Sequence, residues 1–569
     1  MAALNRELDS IRLVKGGKDK QKAIATSETV ESYLEKKELT EGQRKAIATA
    51  LTTTDQFIAW QGKAGAGKTY ALSEYRQIAQ GQGYTIKGYA PSAAAAQVLA
   101  EELGIESTTV ARLLVSPTPE EEKPRKQIWI VDEAGLLSAS DTHALLQRAT
   151  EERARILFVG DTRQLSAVEA GNPFKSLQRA GMTTAYLNQS LRQKTEYLKK
   201  AVDKISSGEI AQGIGILEAN GRITEVEGRD ERASKIAIEY MSLSSDERSK
   251  TLILAGTNLE REAIVEKIRS KLKKEGTLRQ AANVERLKTK DLTSVQMRYA
   301  HNYQKGDVVM PLWDYKHQGL KKGELYTVTN QGKESLTLLS GDGLTVNVDP
   351  AKFHKAVYER QEIEIAVGDR IRWTKNDRRL GRTNGQEFTV TGIEGNRAII
   401  ASQTGKTEQI NLTQAQHLDH ALASTTYSSQ GKTAHRVLVA ASSDRTLSQE
   451  SFYVAASRAK YNLQIYVEDK EKLLTKAQQS QAKKNPLEIL EEQHQEIKRK
   501  LHRDLAEIYA STSLNRESQR QEAESKRELE KASRKNLKTE DLDFPKENVN
   551  FELEQIEKSE KQAIRRIKR

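Results

Sequence analysis

The run Gly62-Lys-Ala-Gly65-Ala-Gly67-Lys68-Thr69 sets three glycines, a lysine and a hydroxyl at the spacing G-x-x-x-x-G-K-[ST], after the apolar stretch Phe57–Trp60 and before a helix-like sequence. Without a Cβ, glycine lets successive backbone N–H groups turn towards one anion, and the following helix N-terminus adds partial positive charge. The chemistry implied is phosphate binding. Gly62, Ala64, Gly65, Ala66 and Gly67 would form the cradle, Lys68 would reach the β- and γ-phosphates, and Thr69 would ligate Mg²⁺. A nucleotide held in this way needs a second metal ligand and a group that accepts a proton from water. The apolar run Ile128–Val131 ends in Asp132-Glu133; Asp132 would hold Mg²⁺ through its water shell and Glu133 would take the proton. ATP and Mg²⁺ are therefore the expected ligands. Hydrolysis further needs positive charge delivered to the transferring phosphate, so arginine fingers are expected elsewhere in the chain.

Residues so spaced must be presented by strand ends. Phe57–Trp60, Thr85–Ala90, Ile128–Asp132 and Ile156–Asp161 alternate with helical stretches, which predicts an α/β doubly wound sheet. A second such set comprises Thr251–Thr257, His435–Ala440 and Leu463–Val467. The expected boundaries are an N-terminal helical segment 1–38, a first α/β domain 39–186 with a short insertion near 114–127, and a second assembled from 187–292 and 417–469. Between the two parts of the second domain, 293–416 has short alternating runs and many turn signals. Lys305 onward and Val367 onward repeat the order Gly-Asp, alternating strand, basic loop, Gly, aromatic, Thr-Val-Thr, so two copies of a small β-barrel unit are expected. From 470 to 569 the chain is rich in both charges, with Leu490, Ile497, Leu501, Leu505 and Ile508 at helical spacing; a long exposed helix and a loosely ordered tail are expected.

The 569 residues include 91 Lys and Arg against 79 Asp and Glu, a formal charge of +12 that favours polyanionic partners. No cysteine is present, which removes disulfides, thiolate metal sites and cysteine nucleophiles. The nine histidines are scattered, so a structural zinc is not expected. The start lacks a signal-peptide pattern and no apolar run is long enough for a bilayer, which points to the cytosol.

The next strand ends Gly160-Asp161-Thr162-Arg163-Gln164-Leu165. Taken in order, GxAGxGKT, DEA and GDxxQL resemble motifs I, II and III of superfamily 1 helicases. The resemblance implies two RecA-like domains with an inserted SH3-like β-barrel domain, and it gives Gln164 the γ-phosphate sensor role. Leu39-Thr-Glu-Gly-Gln43 is similar to the Q motif, whose glutamine reads adenine. Arg192 in LNQSLRQ looks like the motif IV arginine, and Arg458 in YVAASRA like that of motif VI. Single-stranded DNA would be held by Ser429, Gln430, Gly431 and Thr433 of a motif V counterpart, by Pro91, Ser92 and Thr109 in counterparts of Ia and Ib, and by Thr257.

The likeness covers about Leu39 to Val467 and is nearest to the 5′-to-3′, RecD-like branch, in particular the helicase portion of conjugative relaxases. No histidine precedes His143, so the metal-binding histidines of a relaxase domain have no counterpart and no nicking activity is expected. The short segment 114–127 leaves little room for a duplex-splitting protrusion. In the second β copy, Arg372, Arg378 and Arg379 surround Trp373, a pattern suited to phosphate neutralisation and base stacking; the alternative is that Trp373 packs inside the barrel. The expected function is ATP-dependent translocation on single-stranded DNA in plasmid conjugation or mobilisation, with relaxosome or conjugation proteins as possible partners. The alternative is an ATP-switched or inactive DNA-binding accessory module.

Overall fold

The computed structural model describes residues 2–117, 126–165, 171–377, 379–402, 405–441, 446–497, 499, 500 and 503. Six parallel strands form the first sheet: β1 (Phe57–Gly62), β2 (Thr85–Ala90), β3 (Ser107–Thr109), β4 (Gln127–Val131), β5 (Arg155–Gly160) and β6 (Thr183–Leu187), in the order β3-β2-β4-β5-β1-β6. β1, β4 and β5 are buried along their whole length. Alternate residues feed two cores. Ile58, Trp60, Ile130 and Val159 pack beneath helices Glu41–Thr52 and Lys68–Gly81. Phe57, Ala59, Trp129 and Phe158 pack against helices Ala139–Glu151 and Pro173–Arg179. Burial on both faces is why these strands read as continuous apolar runs. The short strands β3 and β6, both partly exposed, lack such runs.

The chain continues through β7 (Ile223–Glu225) and β8 (Thr251–Ala255) into an antiparallel region. There β9 (Arg279–Thr289), β10 (Val308–Pro311), β11 (Tyr326–Gln331), β12 (Leu336–Leu339), β13 (Thr345–Val348) and β14 (Lys355–Val367) form one sheet, ordered β13-β12-β11-β10-β14-β9. A second sheet comprises β15 (Arg370–Trp373), β16 (Glu387–Glu394), β17 (Arg397–Ser402), β18 (Thr407–Asn411) and β19 (Leu418–His420), ordered β18-β17-β16-β15-β19. The chain returns through β20 (Ser424–Thr425), β21 (Ala434–Ala441) and β22 (Ala459–Val467), and these complete a parallel sheet ordered β20-β8-β21-β22-β7. The antiparallel region thus reaches beyond 293–416 on both sides. β9, which precedes Thr293, pairs with β14 from Tyr358↔Thr289 to Val367↔Arg279.

The two β units are a duplication, and its counterparts keep one constant spacing. Gly306 and Gly368 have φ of 97° and 99°, Gly319 and Gly381 have 66° and 65°, and Gly343 and Gly405 have 87° and 82°. Bulges fall at Val328/Asn330 and at Val390/Gly392. The repeated Gly-Asp has one structural cause in both copies. Each aspartate accepts the backbone N–H three residues earlier, from Gln304 at 2.8 Å and from Ala366 at 2.7 Å. Each also pairs with a cation, Lys290 at 2.6 Å and Arg269 at 2.7 Å.

The expected tail begins too early at 470. Helix Lys470–Ala477 buries Leu473 and Ala477 in the core beneath β21 and β22, and an apolar pair four residues apart is enough to hold it there. Asn485 is also buried, against Asn172. Of the expected apolar stripe, Leu490 and Ile497 are exposed, and Leu501, Leu505 and Ile508 lie outside the described residues. Among the described residues no helix is long and apolar enough to cross a membrane.

Candidate active site

The strand order brings the carboxyl ends of β1, β4, β5 and β6 together, and every catalytic candidate on the first sheet follows one of them. After β1 the loop turns at Gly65 (φ 76°) and Gly67 (φ 69°) into helix Lys68–Gly81. Both glycines are required twice over. Besides the positive φ, a Cβ at Gly65 would lie 2.4 Å from that of Arg192, and one at Gly67 would lie 2.4 Å from Gln43 Nε2. Lys68 Nζ donates to Gly62 O at 3.0 Å, folded back across the cradle, and Thr69 Oγ1 donates to Glu102 at 3.0 Å.

Gln43 is fully committed to bracing this loop. It caps helix Glu41–Thr52 with Thr40, and its Nε2 donates to Ala66 O at 3.0 Å and Gly67 O at 3.3 Å. Its amide is therefore spent on the cradle's backbone, which departs from the expected reading of an adenine edge.

Beyond β4, burial and the neighbouring Glu133 push the Asp132 carboxyl up to about 7, against the pull of Lys68. Glu133 has φ 50°, one of three non-glycine residues with positive φ among those described. Such a conformation costs on the order of 1–3 kcal/mol and persists where surrounding structure imposes it. Gly160 leaves room for the turn that follows, since a Cβ there would meet Gly135 N at 3.1 Å and Ala134 N at 3.3 Å.

Arg458 sits at the end of helix Gln449–Ser457, only 2% exposed, and its Nη2 donates to Gln164 Oε1 at 3.1 Å. Its other bonds run to Val454 O and Lys432 O. Burial lowers its pKa, opposed by Glu133, Tyr453 and Asp161. Arg192, in the link after β6, donates to Ser457 O at 2.9 Å, and burial together with Arg458 lowers it to about 10. Two guanidiniums thus lie beside the cradle, and among the described residues neither has a carboxylate partner.

Several residues that motif reading passed over complete the site. Tyr453 OH donates to Asp161 at 3.0 Å and accepts the Ala64 N–H at 2.9 Å, which joins the cradle, the end of β5 and the helix carrying Arg458. Ser190 Oγ reaches Ala64 O at 3.0 Å and Gln193 at 2.7 Å. Tyr453 stands five residues before Arg458 in the same motif, and helical spacing was the available signal.

The expected DNA contacts separate into groups. Pro91 lies at the end of β2, followed by three helix N-caps: Ser92 accepts from Ala95 N, Thr109 from Arg112 N and Thr257 from Glu260 N. Gly431 and Thr433 are exposed, whereas Gln430 Nε2 is buried without a hydrogen-bond partner among the described residues. Ser429 must be corrected, because it is 0% exposed and its hydroxyl donates to Thr426 O.

Trp373 and Arg372 also need correction. Trp373 is 1% exposed, edge-on to Phe388, with the Arg382 guanidinium 3.9 Å from its ring centroid, so no base can stack on it. Arg372 is turned inward to Asp419 and Ser424. In β15 every second residue faces the unit's core, and Trp373 shares that face with Ile371. Arg379 is exposed, and Arg378 lies outside the described residues.

Residues 38–228 match a family model described as an AAA domain, and residues 368–467 match the viral superfamily 1 RNA helicase core domain. The multifunctional conjugation protein TraI of Escherichia coli strain K12 is 24% identical over 76% of this chain and 28% of its own length. The ATP-dependent RecD2 DNA helicase of Deinococcus radiodurans is 32% identical over 22% of this chain and 18% of its own. A Pif1 helicase from Bacteroides, solved with ADP-AlF3 and single-stranded DNA, aligns at a TM-score of 0.37 and 18% identity over 76% of this chain and 93% of that one. The chain therefore spans less than a third of the conjugation protein it matches. The order and placement of its motifs, together with the two models it matches, show superfamily 1 helicase domains in this chain.

Proposed function

We propose that the chain is an ATP-driven motor that moves 5′ to 3′ on single-stranded DNA and serves plasmid conjugation or mobilisation. The observation that carries this reading is the bond between Arg458 and Gln164, 3.1 Å long, which links the motif after β5 to an arginine from the second parallel sheet. A phosphate bound at the cradle acts on both groups at once, so nucleotide state is converted into relative placement of the two sheets.

Lys68 and the amides of Gly65 to Gly67 hold the phosphates, while the Ala64 N–H stays with the Tyr453 hydroxyl. The residues present fit a divalent cation, because the buried Asp132 carboxyl and the Thr69 hydroxyl, which donates to Glu102, are both oxygen donors and Asp132 is raised by its acidic neighbour Glu133. Mg²⁺ there would neutralise charge on the transferring phosphate. Glu133 takes the proton of the attacking water, Gln164 orients the phosphate, and Arg192 and Arg458 stabilise the charge it develops. The loops that begin at Pro91, Thr109 and Thr257 would grip the strand alternately as the sheets close and open. The likeness to TraI, a conjugation protein, and to RecD2, an ATP-dependent DNA helicase, supports the pathway and the activity. Relaxosome proteins are the partners this reading implies.

The decisive measurement is ATP turnover with and without single-stranded DNA. We expect strong stimulation, abolition of turnover by Lys68→Ala and Glu133→Gln, and retained ATP binding in the second variant. Equal turnover with and without DNA would end the motor reading. Direction is read by streptavidin displacement, where release from the 3′-biotinylated strand should be the faster; faster release from the 5′ end would reverse the assignment.

A further inference from the structure

The duplicated β units share one hairpin loop and use it in opposite ways. In the second copy two cations of the loop after β15 turn inward: Lys375 Nζ lies 2.7 Å from Met310 of the first copy, and Arg382 covers Trp373 and pairs with Glu408 at 2.5 Å. The equivalent loop after β10 instead projects Trp313. That residue is 59% exposed, while the other tryptophans, Trp60, Trp129 and Trp373, are each at most 1% exposed. Lys322 Nζ sits 4.9 Å from the Trp313 ring centroid, and Lys316 and Lys321 are exposed on the same loop.

The loop is built rather than loose. Tyr315 N donates to Leu320 O at 2.8 Å and Leu320 N to Tyr315 O at 3.2 Å; Lys322 N donates to the Asp314 carboxylate at 2.8 Å, and Gly323 N to Pro311 O at 2.9 Å. Tyr315 packs edge-on to Phe353 and its hydroxyl accepts from His354 N. A large aromatic surface is thus held out in water by a rigid frame, at a cost in exposed apolar area that the unit's own core does not require.

We propose that Trp313, with Lys316, Lys321 and Lys322, is a stacking platform for a base of single-stranded DNA, with the lysines neutralising the adjacent phosphates. The proposal rests on the single-stranded DNA reading above and moves the aromatic contact from Trp373 to the first copy. A flat π-face beside ammonium groups accepts any base and follows the backbone by charge, so it grips without reading sequence, as a translocating motor needs.

Tryptophan emission provides the test, because Trp313 is the one tryptophan in contact with solvent. An oligodeoxythymidylate should quench the full chain, and inorganic polyphosphate should compete for binding without quenching. Trp313→Phe should remove the quenching. Trp313→Ala should weaken oligonucleotide affinity about tenfold, and the triple Lys316, Lys321 and Lys322→Ala should flatten its salt dependence, both with DNA-free ATP turnover unchanged. If the parent binds the oligonucleotide and Trp313→Ala binds it equally well, the platform is wrong and the motor reading stands. Failure of the parent protein to bind at all overturns both. Concentration-dependent self-association that Trp313→Ala abolishes, with DNA affinity unchanged, identifies the loop as a contact between copies and overturns the platform.

Discussion

At the residue scale the site is a chain of buried polar groups in which each member has one obligation. Tyr453 is the clearest case. Its hydroxyl bridges the Arg458 helix to both Asp161 and the cradle amide of Ala64. The residue is 2% exposed, so a phenylalanine there leaves the buried Ala64 N–H unmet and takes the shorter of two bonds from Asp161 Oδ2, which keeps Gln164 Nε2 at 3.4 Å, at about 1–3 kcal/mol. Because the ring itself is packed against Phe452 and Ala456 and their neighbours, the fold tolerates Tyr453→Phe. The expected outcome is a fall of about tenfold in kcat for DNA-stimulated ATP hydrolysis, with the melting temperature lowered by a few degrees. A kcat within about twofold of the parent would mean that the bridge has no part in turnover. The catalytic residue types were readable from the sequence because phosphate chemistry restricts both type and spacing. Gln43 shows the limit of that reading: the motif located it, but its partners, Ala66 and Gly67, depend on how helix Glu41–Thr52 crosses the loop.

At the element scale the antiparallel region is fastened to the second parallel sheet by a small apolar contact, where Ala366 of β14 shares a core with Ile253 and Leu438, and by ion pairs around it. Asp419, before β20, accepts from Arg286 at 2.6 Å and Arg261 at 2.7 Å, with Arg372 at 3.7 Å. Burial alone would raise its carboxyl, yet Arg261, Arg286 and Arg372 hold it below the usual range. Asp419→Asn keeps the shape and removes the one charge common to the three guanidiniums among the described residues. Stranding a buried partner costs about 3–5 kcal/mol, and Glu262, 3.0 Å from Arg286, offsets the lower part of that. We therefore expect a loss of about 3 kcal/mol in urea unfolding and faster proteolysis between β8 and β10. The exposed pair Asp246–Lys250, 2.7 Å apart, is the control, and Asp246→Asn should shift stability by under about 1 kcal/mol. Equal effects of the two substitutions would show that the cluster does not anchor the unit. Strand and repeat identities were legible here because alternation and glycine spacing are local. The use of each arginine was not, since Arg372 lies on the outward face of β15 and only the packing of β20 against that face turns it into a buried ion.

At the scale of the whole molecule the two parallel sheets are joined by the nucleotide cleft and again by the segment from Gln478 to Glu488. Gln449 N donates to Gln479 O, and Glu450 accepts from Ser480 and Gln481 N, which fixes one end of the segment to the Arg458 helix. Asn485 fixes the other, donating to Asn172 O at 3.1 Å and accepting Asn172 N at 2.5 Å, while Glu488 pairs with Lys175 at 3.1 Å and also with Arg179. The charged composition of this stretch concealed the strap, because side chains that reach a distant element read locally as solvated polar residues. A strap of this kind favours closure whether or not nucleotide is present. Two buried amide bonds and a half-shielded ion pair contribute about 1–3 kcal/mol between them, which multiplies the closed-to-open ratio by about 5 to 150. Asn485→Ala with Glu488→Ala should therefore raise KM for ATP about five- to tenfold, since binding must then supply the closure energy, and should leave kcat nearly unchanged, because no group at the cradle is altered. The same variant should show a larger radius of gyration in small-angle scattering without nucleotide and recover the parent value with a non-hydrolysable ATP analogue. A lowered kcat at constant KM would place the strap's effect on turnover itself and refute a role in the opening equilibrium.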